Sequence, residues 1–335
     1  MTERMPGRGR VTLSRHAEAI FWLARYMERA ENIARIVDVQ ETHARDLAGS
    51  SNWRSIIDVQ ADEDSFYARH AEASATNVIH FYIIDATNPN SVASSIAAAR
   101  ANARLLRPLI STEMWSHLNV FHAWVRGVGA ADIALHNVSR LCARIKEGCQ
   151  THYGITEGTF YRDQGWTFYR LGKAIERADQ TTRLLDVKYR LLAPGGEATP
   201  NGVDDSQWNA LLRAVAGYHA YRRVHPRALS PDRVAGFLLF HEDFPRSVRA
   251  NLLEAAARLD ELRSRYMLAR GAAAEELADE MRAVFASYTV EDVVARGLHE
   301  FNDWVQRQLI HLTDQVGRAF FGYAMPGPDI AGEAA

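Results

Sequence analysis

The chain contains 335 residues with a formal net charge of −2, and 47% of these residues are hydrophobic while 24% are charged. This composition excludes a highly charged disordered chain, argues against a nucleic-acid-binding protein and allows a sizeable buried core. The N-terminus lacks an apolar signal segment, the apolar runs are too short to span a bilayer, and the two cysteines are too widely spaced on a helix for a disulfide. We therefore expect a cytoplasmic protein with no membrane or nucleic-acid partner.

Helical patterns run through the whole chain and strand-like alternation is nearly absent, which predicts an all-α multi-helix bundle with two long pseudo-repeated helices. Ser14 is the predicted N-cap of the first long helix, Asn90 or Ser91 caps a later one, and Pro108 interrupts that later helix near 106–107. In the first part of the chain, helices are predicted over 14–48, 53–60, 64–85, 91–125 and 130–152.

The second part of the chain is predicted to begin with another long helix, after a loop at 153–159. A linker rich in glycine and proline follows over 193–206, and Pro231 is a predicted first helical residue behind Ser230. Helices are predicted over 160–192, 207–224, 231–239, 246–270, 274–287 and 290–323. We expect flexible tails at 1–12 and 324–335 around one domain over 13–323, divided into pseudo-repeats of about 13–152 and 159–323.

Two segments of the long helices repeat each other at an offset of 148 residues. The first is RYMERAENIARIVDV (25–39) and the second is KAIERADQTTRLLDV (173–187), so Glu28 and Arg29 correspond to Glu176 and Arg177. Projected at 100° per residue, each segment has one apolar stripe, and the opposite face carries the charges together with scattered large apolar residues. This pattern indicates helices that are covered on most sides.

A covered helix must have its charges paired or solvated in a cavity. We therefore predict that Glu28 and Arg29 approach Glu176 and Arg177, either as a buried structural ion-pair cluster or as the frame of a polar pocket for a carboxylate, phosphate or amine. An ordinary solvated helix face with weak surface pairs is the third interpretation.

Three other stretches are rich in polar and charged residues that could contribute to a site. The stretch NARLLRPLISTEMWSHLN (102–119) surrounds the expected helix break, YRDQGW (161–166) precedes the second Glu-Arg, and FHEDFPRSVR (240–249) places Arg246 in a first helical turn behind Pro245. A cation there opposes the helix dipole, which suggests that Arg246 meets an acidic partner. The candidate polar-pocket residues are Arg25, Glu28, Arg29, Arg35, Arg104, Arg162, Asp163, Glu176, Arg177, Arg183 and Arg246.

No pattern predicts a metal centre or a cofactor. Thirteen histidines are present, but no Glu-x-x-His spacing of a di-iron bundle and no His-Glu-x-x-His motif occurs. Phosphate-binding glycine motifs and a nucleophile elbow are also absent from the sequence. No catalytic residue can therefore be named.

Taken together, four stretches resemble the bacterial alpha-E family, an all-helical domain of unknown function named for its Glu-Arg motif. They are LSRHAEAIFWLARYMERAENIARIVDV (13–39), NARLLRPLISTEMWSHLN (102–119), GTFYRDQGWTFYRLGKAIERADQTTRLLDVKYR (158–190) and FLLFHEDFPRSVR (237–249). The resemblance implies that Glu28, Arg29, Glu176 and Arg177 carry the family motif. The sequence departs from the expected pattern at Ala24, where a glycine is expected as at the corresponding Gly172 of the second copy.

The resemblance also implies a partner, since alpha-E proteins are associated with a circularly permuted ATP-grasp protein of the type that joins carboxylates to amines. We expect a helical partner or substrate-binding component of such an amide-ligase system for peptide synthesis or modification, with a peptide or amino acid as a possible ligand. Two alternatives stay open. One is an enzyme in its own right that uses the Glu-Arg pairs for acid/base chemistry, and the other is a purely structural scaffold.

Overall fold

The computed structural model describes residues 13–46, 52–192, 202–226 and 229–324. All regular secondary structure in these ranges is helical, which confirms the all-α prediction. The helices are α1 (Ser14–Asp46), α2 (Arg54–Gln60), α3 (Glu63–Tyr67), α4 (Ala75–Ile83), α5 (Val92–Leu105), α6 (Thr112–Arg126), α7 (Leu135–Thr159), α8 (Gln164–Leu192), α9 (Gly202–Ala214), α10 (Tyr218–Val224), α11 (Pro231–Phe240), α12 (Val248–Ser264), α13 (Ala272–Ser287), α14 (Val290–Arg296) and α15 (Leu298–Val316). A 3₁₀ turn (Ala269–Gly271) precedes α13, and a π-helical turn (Gly317–Phe321) follows α15.

Two long helices, α1 and α8, lie side by side at the centre of the bundle. Helices α5, α7 and α9 flank α1, whereas α12 and α15 flank α8. Both central helices therefore bury residues on nearly all sides, as their sequences indicate. The predicted division into pseudo-repeats of 13–152 and 159–323 stays a prediction.

Helix starts and breaks follow the predicted capping chemistry at several places. Ser91 is the N-cap of α5 and accepts a hydrogen bond from the Ser94 amide at 3.0 Å. Helix α5 ends before Pro108, and Ser111 is the N-cap of the next helix, α6. Pro231 is the first residue of α11 behind the N-cap Ser230.

Other predicted boundaries were wrong, each for a local reason. Ser14 is the first residue of α1 rather than its N-cap, and α12 begins at Val248 because Ser247, not a residue before Pro245, provides the cap. The predicted helix 64–85 is divided into α3 and α4, since Ser74 caps a new start. The predicted helix 290–323 is interrupted at Gly297, whose φ of +112° no α-helix accommodates.

Two further predictions, for residues 153–159 and for residues 207–224, were wrong. The first segment was predicted to be a loop but forms the end of α7, and the second contains two helices, α9 and α10, separated by a turn. The predicted tail 1–12, most of the predicted tail 324–335 and the linker up to residue 201 lie outside the described residues. No described helix is both long and apolar enough to cross a membrane.

Candidate functional site

The long helices α1 and α8 run parallel and contact each other in the register of the sequence repeat. Asn32 donates a hydrogen bond from Nδ2 to Oε1 of Gln180 at 3.0 Å, and these two residues correspond at the offset of 148. The helices approach closely at Gly172, where an added Cβ atom would lie 2.4 Å from the carbonyl oxygen of Phe21. Side chains that correspond in sequence are thus brought to the same level of the bundle.

Glu176 of α8 is fully buried between two arginines of α1. Its carboxylate accepts hydrogen bonds from Arg25 Nε at 2.7 Å and from Arg29 Nε and Nη2 at 2.7 and 3.0 Å. Gln180 Nε2 donates a further bond at 3.3 Å. Burial opposes ionisation of Glu176, but the charges of Arg29 and Arg25 outweigh it and lower the pKa of Glu176 to about 2. Glu176 is therefore a carboxylate at neutral pH.

Glu28 of α1 occupies the reciprocal position, with Arg177 Nε 2.9 Å from its Oε1. Arg246 Nη1 donates a hydrogen bond to the same oxygen at 2.6 Å, and the Tyr153 hydroxyl donates one to Oε2 at 2.9 Å. Burial opposes ionisation of Glu28, but the charges of Arg177, Arg246 and Lys173 hold its pKa well below the usual range. Each Glu-Arg dipeptide is thus paired with the other, as the sequence predicts.

A second layer of ion pairs repeats at the same offset. Arg35 donates to Glu31 at 2.9 Å, and Arg183 donates to Asp179 at 2.9 Å, both within one helix at i, i+4. Arg246 bridges the two layers on one side, because its Nη2 lies 3.1 Å from Glu31. These pairs make up a network of ion pairs along α1 and α8 in which the pairs of Glu28 share no side chain with those of Glu176.

Arg246 reaches this network from the segment between α11 and α12. Thr181 of α8 donates a hydrogen bond to the Arg246 carbonyl at 2.9 Å, which fixes the backbone of this segment against the central helix. The sequence prediction that Arg246 meets acidic partners agrees with this geometry, although Arg246 precedes the N-cap Ser247 and does not lie in the helix itself.

The candidate pocket residues predicted from the sequence lack the carboxylates Glu31 and Asp179 of this site, and they also lack Tyr153 and Lys173. Tyr153 lies in the stretch predicted to be a loop, so no pattern pointed to it. Lys173 corresponds to Arg25 at the offset of 148, and this correspondence was the available signal. Its Nζ lies 3.8 Å from the centre of the Tyr153 ring, and burial, together with the charge of Arg177, lowers the pKa of Lys173 to about 8.

We call this network, together with the charged residues beside it, the Glu–Arg cluster; its two sides carry different numbers of negative and positive formal charges. On the Glu28 side, two carboxylates face four cations, namely Glu28, Glu31, Arg35, Lys173, Arg177 and Arg246. On the Glu176 side, three carboxylates lie near three cations, namely Asp62, Glu176, Asp179, Arg25, Arg29 and Arg183. Asp62, like Lys173 on the other side, forms no ion pair among the described residues and is counted because its charge acts on Arg29 and Arg183. The two sides are therefore geometrically reciprocal but differ in charge, and the positive excess lies on the Glu28 side.

Three of the predicted pocket residues lie outside the Glu–Arg cluster. Arg104 is exposed on α5. Arg162 stacks on Trp166 at 3.7 Å, and Asp163 accepts a hydrogen bond from the Gly165 amide at the start of α8. That start is about 20 Å from Glu176 at 1.5 Å per residue. A functional role for these three residues, as for the cluster itself, stays a prediction.

The arrangement suits anion binding better than proton transfer. A general acid or base near neutral pH needs a pKa close to the working pH, whereas Glu28 and Glu176 have lowered pKa values and are held by arginines. Among the described residues, no group of three or more His, Cys, Asp or Glu side chains is placed to hold a metal ion. The groups available to a ligand are consequently cations.

Comparison with known proteins identifies one family and several relatives. A family model named Alpha-E, described as "a predicted alpha-helical domain with a conserved ER motif", matches residues 12–321. One uncharacterised protein of Mycobacterium bovis and two of Mycobacterium tuberculosis are 27% identical over 267 residues, covering 72% of this chain. The match spans only 29% of the length of these relatives. No solved structure matches the chain.

Proposed function

The chain belongs to the Alpha-E family, and from this premise we propose that it is a substrate-binding helical component of an ATP-grasp amide-ligase system. In this proposal the Glu28 side of the Glu–Arg cluster binds the carboxylate of a peptide or amino acid and presents it for amide formation. The ligase partnership rests on the family resemblance, and the carboxylate site rests on the geometry. The single observation that carries the proposed site is the positive excess on the Glu28 side.

The excess charge lies at the half-buried side chains Lys173 and Arg177, which together with the uncharged Tyr153 beside them we call the cationic rim. Within the described part of the chain, Lys173 Nζ has no ion pair, and the terminal Nη atoms of Arg177 donate no hydrogen bond. The Arg177 side chain is 17% exposed and Lys173 is half-buried, so the rim borders the solvent. An incoming carboxylate would offset charge that the protein itself leaves unbalanced.

An independent enzyme is the less favoured function. Its proposed acid or base, Glu28 or Glu176, would have to exchange protons at neutral pH, and the surrounding arginines oppose protonation of both carboxylates. A purely structural scaffold accounts for the balanced Glu176 side. It does not account for two uncompensated cations beside Glu28, because such charges lower stability unless something binds to them.

The first experiment tests the carboxylate site alone. Binding of N-acetylglutamate and of inorganic phosphate is measured by isothermal titration calorimetry for the wild type and for Lys173→Met. Lys146→Met is the matched control, since Lys146 is a half-buried lysine paired with Asp38 at 2.6 Å. We expect N-acetylglutamate binding that is lost in Lys173→Met and kept in Lys146→Met. Equal binding by both variants, or tighter binding of phosphate than of the carboxylate, contradicts the proposed site.

The second experiment tests the ligase partnership. The chain is purified with the ATP-grasp protein encoded in the same genome, and ATP-dependent amide formation is followed by mass spectrometry with the wild type, with Lys173→Met and with Glu176→Gln. We expect the wild type to increase product formation and Lys173→Met to fail to do so. If the two proteins do not associate and the chain has no effect on turnover, the partnership is rejected, whatever the calorimetry gives.

A further inference from the structure

Helices α5 and α6 form an antiparallel hairpin whose outer groove is lined by arginines around one tryptophan. Arg100 donates a hydrogen bond from Nε to Asn119 Oδ1 at 2.7 Å, so the two helices meet at this level. The guanidinium groups of Arg107 and Arg100 lie 4.8 and 5.7 Å from the centre of the Trp115 ring. The spacing of 115, 119, 122 and 126 places these residues on one face of α6, and that of 100 and 104 places Arg100 and Arg104 on one face of α5. Arg107 lies in the turn that follows α5.

The arginines of the groove have no acidic partner in the part of the chain that the structure describes. Among the described residues, no carboxylate lies within 4 Å of Arg100, Arg104, Arg107 or Arg126. Some exposed arginines elsewhere pair with a nearby carboxylate, as Arg307 does with Asp303 at 2.7 Å, whereas others, such as Arg140 and Arg144, contact uncharged side chains. Helix α5 contains no acidic residue at all. The chain as a whole is slightly acidic, so this basic groove is a local feature rather than a result of composition.

The hairpin also exposes large apolar side chains. Val120 is 70% exposed, and Leu105 and Leu109 are exposed at the end of α5 and in the turn that follows it. Val120 and Leu105 lie about 100° around their helices from Asn119 and Arg104, so they flank the groove rather than line it. Tryptophan and arginine are themselves enriched at protein interfaces, where a few such residues contribute most of the affinity. We infer that the α5–α6 groove docks an acidic segment of a partner protein.

The dimensions fit a short extended peptide. From Trp115 to Arg126 the α6 face is about 16 Å long at 1.5 Å per residue. An extended chain advances about 3.3–3.6 Å per residue, so about five residues would cover the groove. Carboxylates on alternate residues of such a segment would face the arginines of both helices. This spacing favours an acidic peptide as the occupant.

Single-stranded nucleic acid fits the groove less well. Sequence-tolerant binding of single strands needs aromatic rings on which bases stack, together with a long basic track. Trp115 is the only tryptophan of the groove, and its ring already contacts two guanidinium groups. The negative net charge of the chain also opposes a polyanion beyond the groove itself.

The inference goes beyond the proposed carboxylate site, because the groove lies on α5 and α6 while the cationic rim lies on α7 and α8. It is tested by fluorescence anisotropy with a fluorescein-labelled hexaglutamate peptide at low salt. The variant Arg104→Ala/Arg107→Ala removes two exposed charges of the groove. Arg263→Ala/Arg307→Ala removes the same number of exposed charges elsewhere and is the matched control.

We expect wild-type binding that weakens with added salt, a loss of affinity of about tenfold in the groove variant, and little change in the control variant. Circular dichroism checks that both variants are folded. The inference is overturned if the wild type does not bind the peptide, if the two variants lose equal affinity, or if a single-stranded DNA oligonucleotide binds the groove more tightly than the peptide. Lys173→Met, titrated with N-acetylglutamate, tests the other site separately.

Discussion

The change Glu176→Gln tests whether the Glu–Arg cluster is a buried, ionised network. Glutamine keeps the shape and one acceptor oxygen but leaves Arg25 and Arg29 without a buried counter-charge. Removing one partner of a buried ion pair costs about 3–5 kcal/mol. The pKa gives a second estimate, since a shift from 4.5 to about 2 corresponds to about 3 kcal/mol of differential stability. We expect Glu176→Gln to lower the free energy of unfolding by about 3 kcal/mol.

The lowered pKa of Glu176 also determines how the free energy of unfolding depends on pH. Because the pKa of Glu176 is lower in the folded state than in the unfolded state, the folded protein binds its proton only at lower pH. The stabilisation is present above pH 4.5 and is lost as the pH falls from 4.5 to about 2. The difference in stability between wild type and Glu176→Gln is therefore expected to shrink through this acid range.

Urea unfolding followed by far-ultraviolet circular dichroism measures both effects. Asp303→Asn is the control, because Asp303 pairs with Arg307 at 2.7 Å on the exposed surface and such pairs contribute at most about 1 kcal/mol. An unchanged urea dependence in each variant shows that the same surface is exposed on unfolding. If Glu176→Gln costs less than about 1 kcal/mol at neutral pH, or if its cost does not fall in acid, Glu176 is not the buried anion that the geometry indicates.

Three further predictions concern α8 and the neighbouring helix α7. Lys173→Met is expected to raise the free energy of unfolding by about 1–3 kcal/mol at neutral pH, because the folded protein lowers the pKa of Lys173 to about 8 and so holds a destabilised positive charge. The destabilisation of the wild type disappears as the pH rises from 8 to 10.5, and thermal unfolding across that range measures it. A lower stability of Lys173→Met at neutral pH would contradict the prediction. Gly172→Ala is expected to lower the free energy of unfolding, measured with urea, by about 1–3 kcal/mol, because the added Cβ atom would clash with the backbone of Phe21. Gly154→Ala should instead stabilise α7 by about 0.5–1 kcal/mol, since no atom lies near its added Cβ. Equal effects of the two changes would refute the close approach of α1 and α8. Both cysteines are buried and have raised pKa values, so a thiol reagent should modify them only at the rate of unfolding, and rapid modification of the native protein would contradict their burial.

The ion pairs could be predicted from the sequence because their signal was a repeated position. Glu28 and Arg29 are adjacent, and adjacent side chains on a helix point about 100° apart, so they cannot pair with each other. A second copy of the dipeptide on a neighbouring helix removes this restriction. The repeat at an offset of 148, with apolar residues around it, was therefore sufficient to indicate a buried meeting of the two copies.

The partners that differ between the two sides could not be predicted in the same way. Tyr153 was missed because two glycines in YGITEGT suggest a loop, yet this stretch is held in α7 by tertiary packing of buried residues such as His152 and Thr156. Arg246 gave a signal through its unfavourable helix position, but the signal depended on a helix start that was wrong by a few residues. Long-range contacts of this kind leave no periodicity in the sequence.

Under the proposed function, the difference between the two sides lets one motif serve two purposes. On the Glu176 side, Arg25 donates a second bond to Thr313 at 3.0 Å and all formal charges balance, so this side contributes stability. On the Glu28 side, Lys173 adds a charge that forms no ion pair among the described residues, which lowers stability and, under the proposed function, creates affinity for an anion. Stability and binding should therefore respond to different substitutions: Glu176→Gln should destabilise the fold while the residual folded protein still binds N-acetylglutamate, and Lys173→Met should abolish binding in a more stable protein. Variants that lose both properties in parallel would mean that the two sides act as one.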